Sequence, residues 1–250
     1  DTNDKSPHLE KFSKYNAKWV NIIEDIDENL LIVPEIWTDK LQSYSNIKKA
    51  IWWLSVTHNW GKFQDFDNKN IEHFCQSYYA QHYLYAMGCY HSTILNDYID
   101  IDFSLTTPKK EDIVCYNPAK GKEATEQIMS QNKHIEFIPI SGLTRTETIE
   151  ILSKSKVYID FGHHPGRDRI PREAAILNNC VITGLLGSAR YFSDIPIPNY
   201  YKIEDISNVD NVIKDCLLDY SDRIMDFEVY RRFILSQKNE MEMIIKRIFI

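Results

Sequence analysis

Between Lys156 and Gly184 the chain runs strand, polar loop, helix, strand, and that order leaves few architectures open. Val157, Ile159 and Phe161 alternate with Tyr158 and Asp160, which predicts a strand that Gly162 ends. The loop beyond carries His163, His164, Pro165, Gly166 and the arginines Arg167, Arg169 and Arg172. Pro171 has the fixed φ that suits a first helical turn, so a helix is predicted to start near it and to run through Ala174, Ala175 and Leu177. Asn178 and Asn179 end it, and Cys180 to Thr183 reads as a buried strand before Gly184. A loop at the carboxyl end of a strand, opening into a helix amino terminus and crowded with arginine, is where an open α/β sheet binds phosphorylated ligands. An anionic ligand is expected there.

The same alternation recurs along the chain. Leu9, Phe12, Trp19 and Ile23 predict a surface helix. Strands follow at Leu30 to Pro34, at Ala50 to Val56, at Phe74 to Ser77 and at Thr93 to Asp97, with a helix from about Tyr79 to Gly88. His58 falls on the loop that ends the second of them. The polar stretch from Thr106 to Asp112 reads as a linker, dividing the chain into 1–106 and 107–250. Beyond it come strands at Asp112 to Tyr116 and Ile135 to Ile140, and between them a helix with Ala124 and Ile128 on one face. Thr144 and Glu147 form a capping box before a helix that buries Ile149 and Leu152. Helices at Val212 to Leu218 and from about Ser221 to Arg247 close the chain. Strands alternating with helices imply parallel sheets. The expectation is an α/β protein of two Rossmann-like domains with a cleft between them, the first domain short.

At 250 residues and 43% hydrophobic the chain can bury cores of that kind. A net charge of -7 argues against nucleic acid as partner. The five cysteines are dispersed and show no C-x-x-C spacing, so they read as reduced and buried. The sequence offers no run near the roughly 20 apolar residues of a bilayer span and no leader pattern, which predicts a cytoplasmic protein. No G-x-S-x-G elbow supports serine hydrolase chemistry. Adjacent His163 and His164 point in diverging directions and lack a third ligand, so no metal and no cofactor are expected. Asp100 and Asp102 read as solvated.

The order of strand, Lys120-Gly121, strand, capped helix, strand, glycine-containing loop, Glu173-Ala-Ala, strand, Thr183-Gly184 and Gly187-Ser188 resembles the nucleotide-sugar-binding half of GT-B fold glycosyltransferases. The likeness is to the glycogen-synthase-like retaining kind, and among these to bacterial capsule and O-antigen transferases. It covers roughly Asp112 to the C-terminus. The resemblance implies that residues 1–106 are an acceptor-side domain and that the donor is a nucleotide-diphosphate sugar. The acceptor it implies is a glycan or a lipid-linked molecule of bacterial surface polysaccharide synthesis, with the chain acting inside a larger complex or at the inner membrane periphery. Glu173 would accept hydrogen bonds from the ribose hydroxyls. Lys120, with Asn117 in the same loop, and Arg167 or Arg169 would hold the diphosphate; Gly187 and Ser188 would present backbone amides to the donor. That family places a second glutamate eight positions earlier, where this chain has Pro165, so His164, Pro165 and Gly166 are the candidate replacements. The catalytic candidates are His58, His164, Lys120 and Arg169. The competing reading makes Glu173 a residue that favours the helix dipole, and the cations salt-bridged to Asp160 or Asp168. An epimerase or hydrolase on the same fold, or a binding module without catalysis, remains open. Six basic residues in the last helix are offset by Asp222, Asp226, Glu228, Glu240 and Glu242, so strong membrane binding is not expected.

Overall fold

The computed structural model describes residues 15–59, 61–100 and 109–249. Strands Leu30–Pro34 (β1), Lys48–Trp53 (β2), Ile71–Cys75 (β3) and Ser92–Ile94 (β4) form one parallel sheet in the order β1-β2-β3-β4. Strands Glu111–Tyr116 (β5), Glu136–Pro139 (β6), Ser155–Asp160 (β7) and Cys180–Thr183 (β8) form a second, ordered β6-β5-β7-β8 and also parallel. The helices are Tyr78–Ala86 (α1), Lys122–Gln131 (α2), Arg145–Lys154 (α3), Arg169–Ile176 (α4), Val209–Leu218 (α5), Tyr220–Arg223 (α6) and Glu228–Phe249 (α7). This is the expected α/β architecture with two parallel sheets.

Local chemistry explains most boundaries. β8 is buried at all four positions, as an apolar run covered on both faces must be. The capping box forms as predicted: Glu147 N donates to Thr144 Oγ1 at 3.3 Å and Thr144 N donates to Glu147 Oε2 at 2.7 Å. α4 ends on Asn178 in the left-handed region (φ 60°), with Asn179 N bonding back to Ala174 O at 2.9 Å. α4 itself begins two residues before Pro171, which therefore sits in its first turn.

Two expected helices differ. Residues 16–29 are irregular chain rather than helix, because the Asp25 carboxylate takes the amides of Ser45, Asn46 and Ile47 and pins this segment beside the loop before β2. Leu9 and Phe12 lie outside the described residues, as do Thr106, Thr107 and Pro108 of the linker. The last helix is broken. Between α6 and α7 lies the 3-10 turn Ile224–Phe227, where Tyr201 OH bonds Asp226 Oδ2 and fully buried Phe227 packs 4.6 Å from the Tyr201 ring.

The second sheet reverses its strand order between β5 and β7, since β6 lies on one side of β5 and β7 on the other. The first sheet has no such reversal. At a reversal the two flanking connections leave in opposite directions and open a crevice at the carboxyl ends of the strands. Here that crevice is bounded by the loop 117–121 and the loop 161–168.

α7 joins the two halves. Tyr230 and Ile234 lie in the core of the second sheet, while Met241, Ile244, Ile245 and Ile248 pack on Ala50, Phe74 and Leu95 of the first. All five cysteines are buried free thiols, as expected.

Candidate functional site

The two loops at the strand reversal touch backbone to backbone. A β-carbon on Gly162 would stand 2.2 Å from Lys120 Cβ, and one on Gly121, whose φ is +61°, would stand 2.6 Å from the Phe161 carbonyl carbon. No other residue type fits either place, and the contact delivers Lys120 to the end of β7. Lys120 Nζ there pairs with Asp168 Oδ2, and both side chains keep part of their surface open. Asn117 turns this loop, its Oδ1 accepting Ala119 N at 3.0 Å.

Glu173 lies in α4 with only 2% of its side chain exposed. Its Oε1 accepts from Arg145 at 2.5 Å and also from Arg169 Nε. Both arginine side chains remain accessible, 41% and 55% exposed. Sequence reasoning did not single out Arg145; it opens the capped helix α3, and only the lateral packing of α3 on α4 brings it to Glu173.

The other two arginines of the loop turn inward. Arg167 is buried, with Nε bonded to Asp194 Oδ1 at 3.0 Å, its guanidinium 5.0 Å from the Phe233 ring centroid, and its amide bonded to Gln76 Oε1 at 3.0 Å. Asp194 also accepts the amides of Tyr78 and Tyr79 at 2.8 and 2.9 Å, so one carboxylate of the second half caps α1 of the first. Arg172 is buried too, bonded to Asp97 Oδ2 at 2.9 Å, Arg167 O at 2.8 Å and Gln237 Oε1 at 3.2 Å. The expectation that Arg167 faces the ligand is corrected in this respect: it braces the two halves against each other.

His164 is fully buried between Asp160, 3.4 Å from Nε2, and Asp168, 3.5 Å from Nδ1. Neither ring nitrogen makes a hydrogen bond of good geometry. Burial works to raise the Asp160 carboxyl, yet the adjacent His164 ring and the bonds from Gly162 N and Tyr158 OH outweigh it and hold the group below its usual value. With no surface of its own, His164 acts on a ligand only through these two carboxylates. Gly166 packs on the first half, where a β-carbon would stand 2.1 Å from Leu54 O. Gly187 has φ +67° and lies against His164 O. Ser188 gives its amide to His164 O at 2.8 Å and its hydroxyl to Gly166 O at 2.6 Å, so its donors are engaged inside the loop. His58 is exposed in the turn Val56–Asn59, four residues past Leu54.

Two clusters among the described residues bring three metal-ligating side chains together: Asp160, His164 and Asp168, and His73, Cys89 and His91. In each, other groups compete for the ligand atoms. In the first, the two carboxylates stand at opposite nitrogens of one ring, and Lys120 already supplies the cation to Asp168. In the second, Trp53 Nε1 donates to His73 Nδ1 at 3.0 Å, which leaves the proton on Nε2, the atom an ion would need.

No family model and no curated protein matches this chain. Solved structures do. A variant of S. aureus TarM in complex with fondaparinux, alpha-GlcNAc-glycerol and UDP superposes with a TM-score of 0.66 at 13% identity, covering 90% of this chain and 55% of its own. Sucrose-phosphate synthase from Thermosynechococcus elongatus gives 0.63 at 12% identity, with 88% and 73% covered. The pneumococcal O-GlcNAc transferase GtfA in complex with UDP and GlcNAc gives 0.62 at 12%, with 89% and 56% covered. What is shared at such identities is the fold, and the fold is GT-B. The chain spans just over half the length of TarM.

Proposed function

We propose that this chain is the donor-binding and catalytic region of a glycosyltransferase that moves a sugar from a nucleoside diphosphate to a glycan or lipid-linked acceptor. The observation that carries the reading is the pair of accessible guanidinium groups on the single Glu173 oxygen, beside Lys120 at the strand reversal. Lys120, Arg145 and Arg169 all keep accessible surface there, and the N–H groups not taken by Glu173 and Asp168 can meet a diphosphate. Support also comes from the structures sharing the fold, several of which hold UDP or a UDP-sugar.

As the bond between sugar and diphosphate breaks, negative charge grows on the departing phosphate oxygens. Arg145 and Arg169, already oriented by Glu173, meet that charge without reorganising, and Lys120 adds a third donor. Glu173, almost as buried as His164, acts on the ligand through the two guanidinium groups it holds. Asp160 and Asp168 clamp His164 and so position Lys120. No metal enters this scheme, because Lys120 and the two arginines supply the positive charge. Retention of configuration, and a place in bacterial surface polysaccharide synthesis at the cytoplasmic side of a membrane, rest on the motif order from Lys120 to Ser188. No described helix is long and apolar enough to cross a membrane.

Calorimetric titration with UDP, GDP and their sugar conjugates, followed by nucleotide-release assays with and without acceptor glycans, tests the reading. Binding of a nucleoside diphosphate with acceptor-dependent release is expected; release that ignores acceptor points to a hydrolase. Binding without turnover favours a non-catalytic module, a reading the complete burial of His164 supports, since it stands where a substrate contact was expected.

A further inference from the structure

A row of aromatic rings leads away from the site. It starts at His163, whose Nε2 lies 3.3 Å from Tyr79 OH and whose ring is 5.8 Å from that of Tyr79. Tyr191 follows at 5.9 Å from Tyr79, and His82 at 4.9 Å from Tyr191. Tyr85 stacks 6.3 Å from His82, and Tyr90 lies 6.1 Å beyond Tyr85. Tyr79, His82 and Tyr85 recur every third residue along α1, on a different face from Ala80 and Leu84, which enter the core. Tyr79 and Tyr191 are half-buried, while His163, His82, Tyr85 and Tyr90 are exposed, the last two to 40% and 78%.

An exposed run of contiguous apolar rings marks a surface that binds something. None of the six residues is an acid, a lysine or an arginine, and burial holds His163 below its usual value, with His164 and Lys120 adding to the effect. Each ring has a flat face and a polar edge, a phenol hydroxyl or an imidazole nitrogen. A pyranose is the complementary object: its C–H faces lie on rings while its hydroxyls bond their edges. The row draws on both halves of the molecule, α1 from the first and His163 and Tyr191 from the second. Its inner end abuts the loop that carries Asp168, the partner of Lys120.

We propose that this row binds an extended, neutral oligosaccharide, the acceptor chain, with the reacting end at His163 and earlier sugars laid toward Tyr90. This rests on the transferase reading above. A membrane or a protein partner is disfavoured, because the row is narrow and bears no lysine or arginine to meet anionic lipid.

The test uses malto-, cello- and chito-oligosaccharides of two and six sugars, titrated by saturation-transfer NMR and calorimetry without nucleotide. At least one hexasaccharide is expected to bind at millimolar concentration or better and to exceed its disaccharide severalfold. The double substitution Tyr85→Ala with Tyr90→Ala, at two exposed positions, should weaken it about tenfold. Melting temperature and UDP binding should stay unchanged. Equal binding of two and six sugars, equal binding by the variant, or no binding of any probe overturns the proposal. Nucleotide binding is read separately: hexasaccharide binding lost in the variant while UDP fails to bind wild type would keep the row and sink the donor site.

Discussion

Arg145 and Arg169 share one carboxylate oxygen, and neither is buried, so removing one leaves Glu173 paired and the fold unstressed. Arg169→Ala and Arg145→Ala are each expected to weaken nucleoside diphosphate binding by about 1–3 kcal/mol, the usual worth of a charged hydrogen bond. Nucleoside binding should barely change; equal losses for both ligands would remove the phosphate role. His73 makes a different prediction. Burial first, and His91 second, lower its pKa from 6.5 to about 4, so the folded state holds it neutral. Between those values the unfolded chain binds the extra proton, so this contribution is complete above pH 6.5 and is lost as pH falls through about 4. It amounts to about 3 kcal/mol. Urea unfolding of wild type and of His73→Asn, whose amide can still accept from Trp53, should show the difference between them shrinking from pH 7 to pH 4; a constant difference would refute it. Residue identity was legible here, whereas direction was not. The loop after β7 displays three arginines, but charge does not say which way a side chain turns, and the partners that draw Arg167 and Arg172 inward, Asp194 and Asp97, are distant in sequence.

At the scale of elements, the sequence was most informative where local chemistry decides. β1 and β8 fall where apolar runs meet proline or glycine, and the capping box names both of its members. It was least informative where tertiary contacts decide, as for Asp25 holding residues 16–29 out of a helix and Tyr201 breaking the last one. The meeting of loops 117–121 and 161–168 belongs to the second kind, because two glycines far apart in sequence carry no local sign of touching. That meeting is open to a direct trial. Gly162→Ala should push the Lys120 loop away, since its β-carbon would overlap Lys120 Cβ at 2.2 Å. We expect a stability loss of about 1–3 kcal/mol, typical of overpacking, together with a larger fractional loss of UDP affinity than the change at an outward glycine such as Gly142→Ala produces. Unchanged affinity would show that the loop contact does not set the Lys120 position.

Across the whole molecule, α7 decides how the chain meets its surroundings. Its apolar stripe is spent on both sheets, and Arg231 and Arg232 are tied to Glu228 at 3.0 and 2.7 Å. Little unopposed positive charge is left for anionic lipid, where each free basic residue contributes about 1 kcal/mol. The protein should therefore fail to float with phosphatidylserine vesicles at physiological salt, and salt-sensitive flotation would contradict this. The same strap has a thermodynamic corollary. With α7 packed across both sheets, Arg172 bridging them and Asp194 capping α1 from the far side, neither half can melt and leave the other's contacts intact. Heating should yield one calorimetric peak whose van't Hoff and measured enthalpies agree, as for a single cooperative unit. Cutting α7 after Gln237 should split that peak in two.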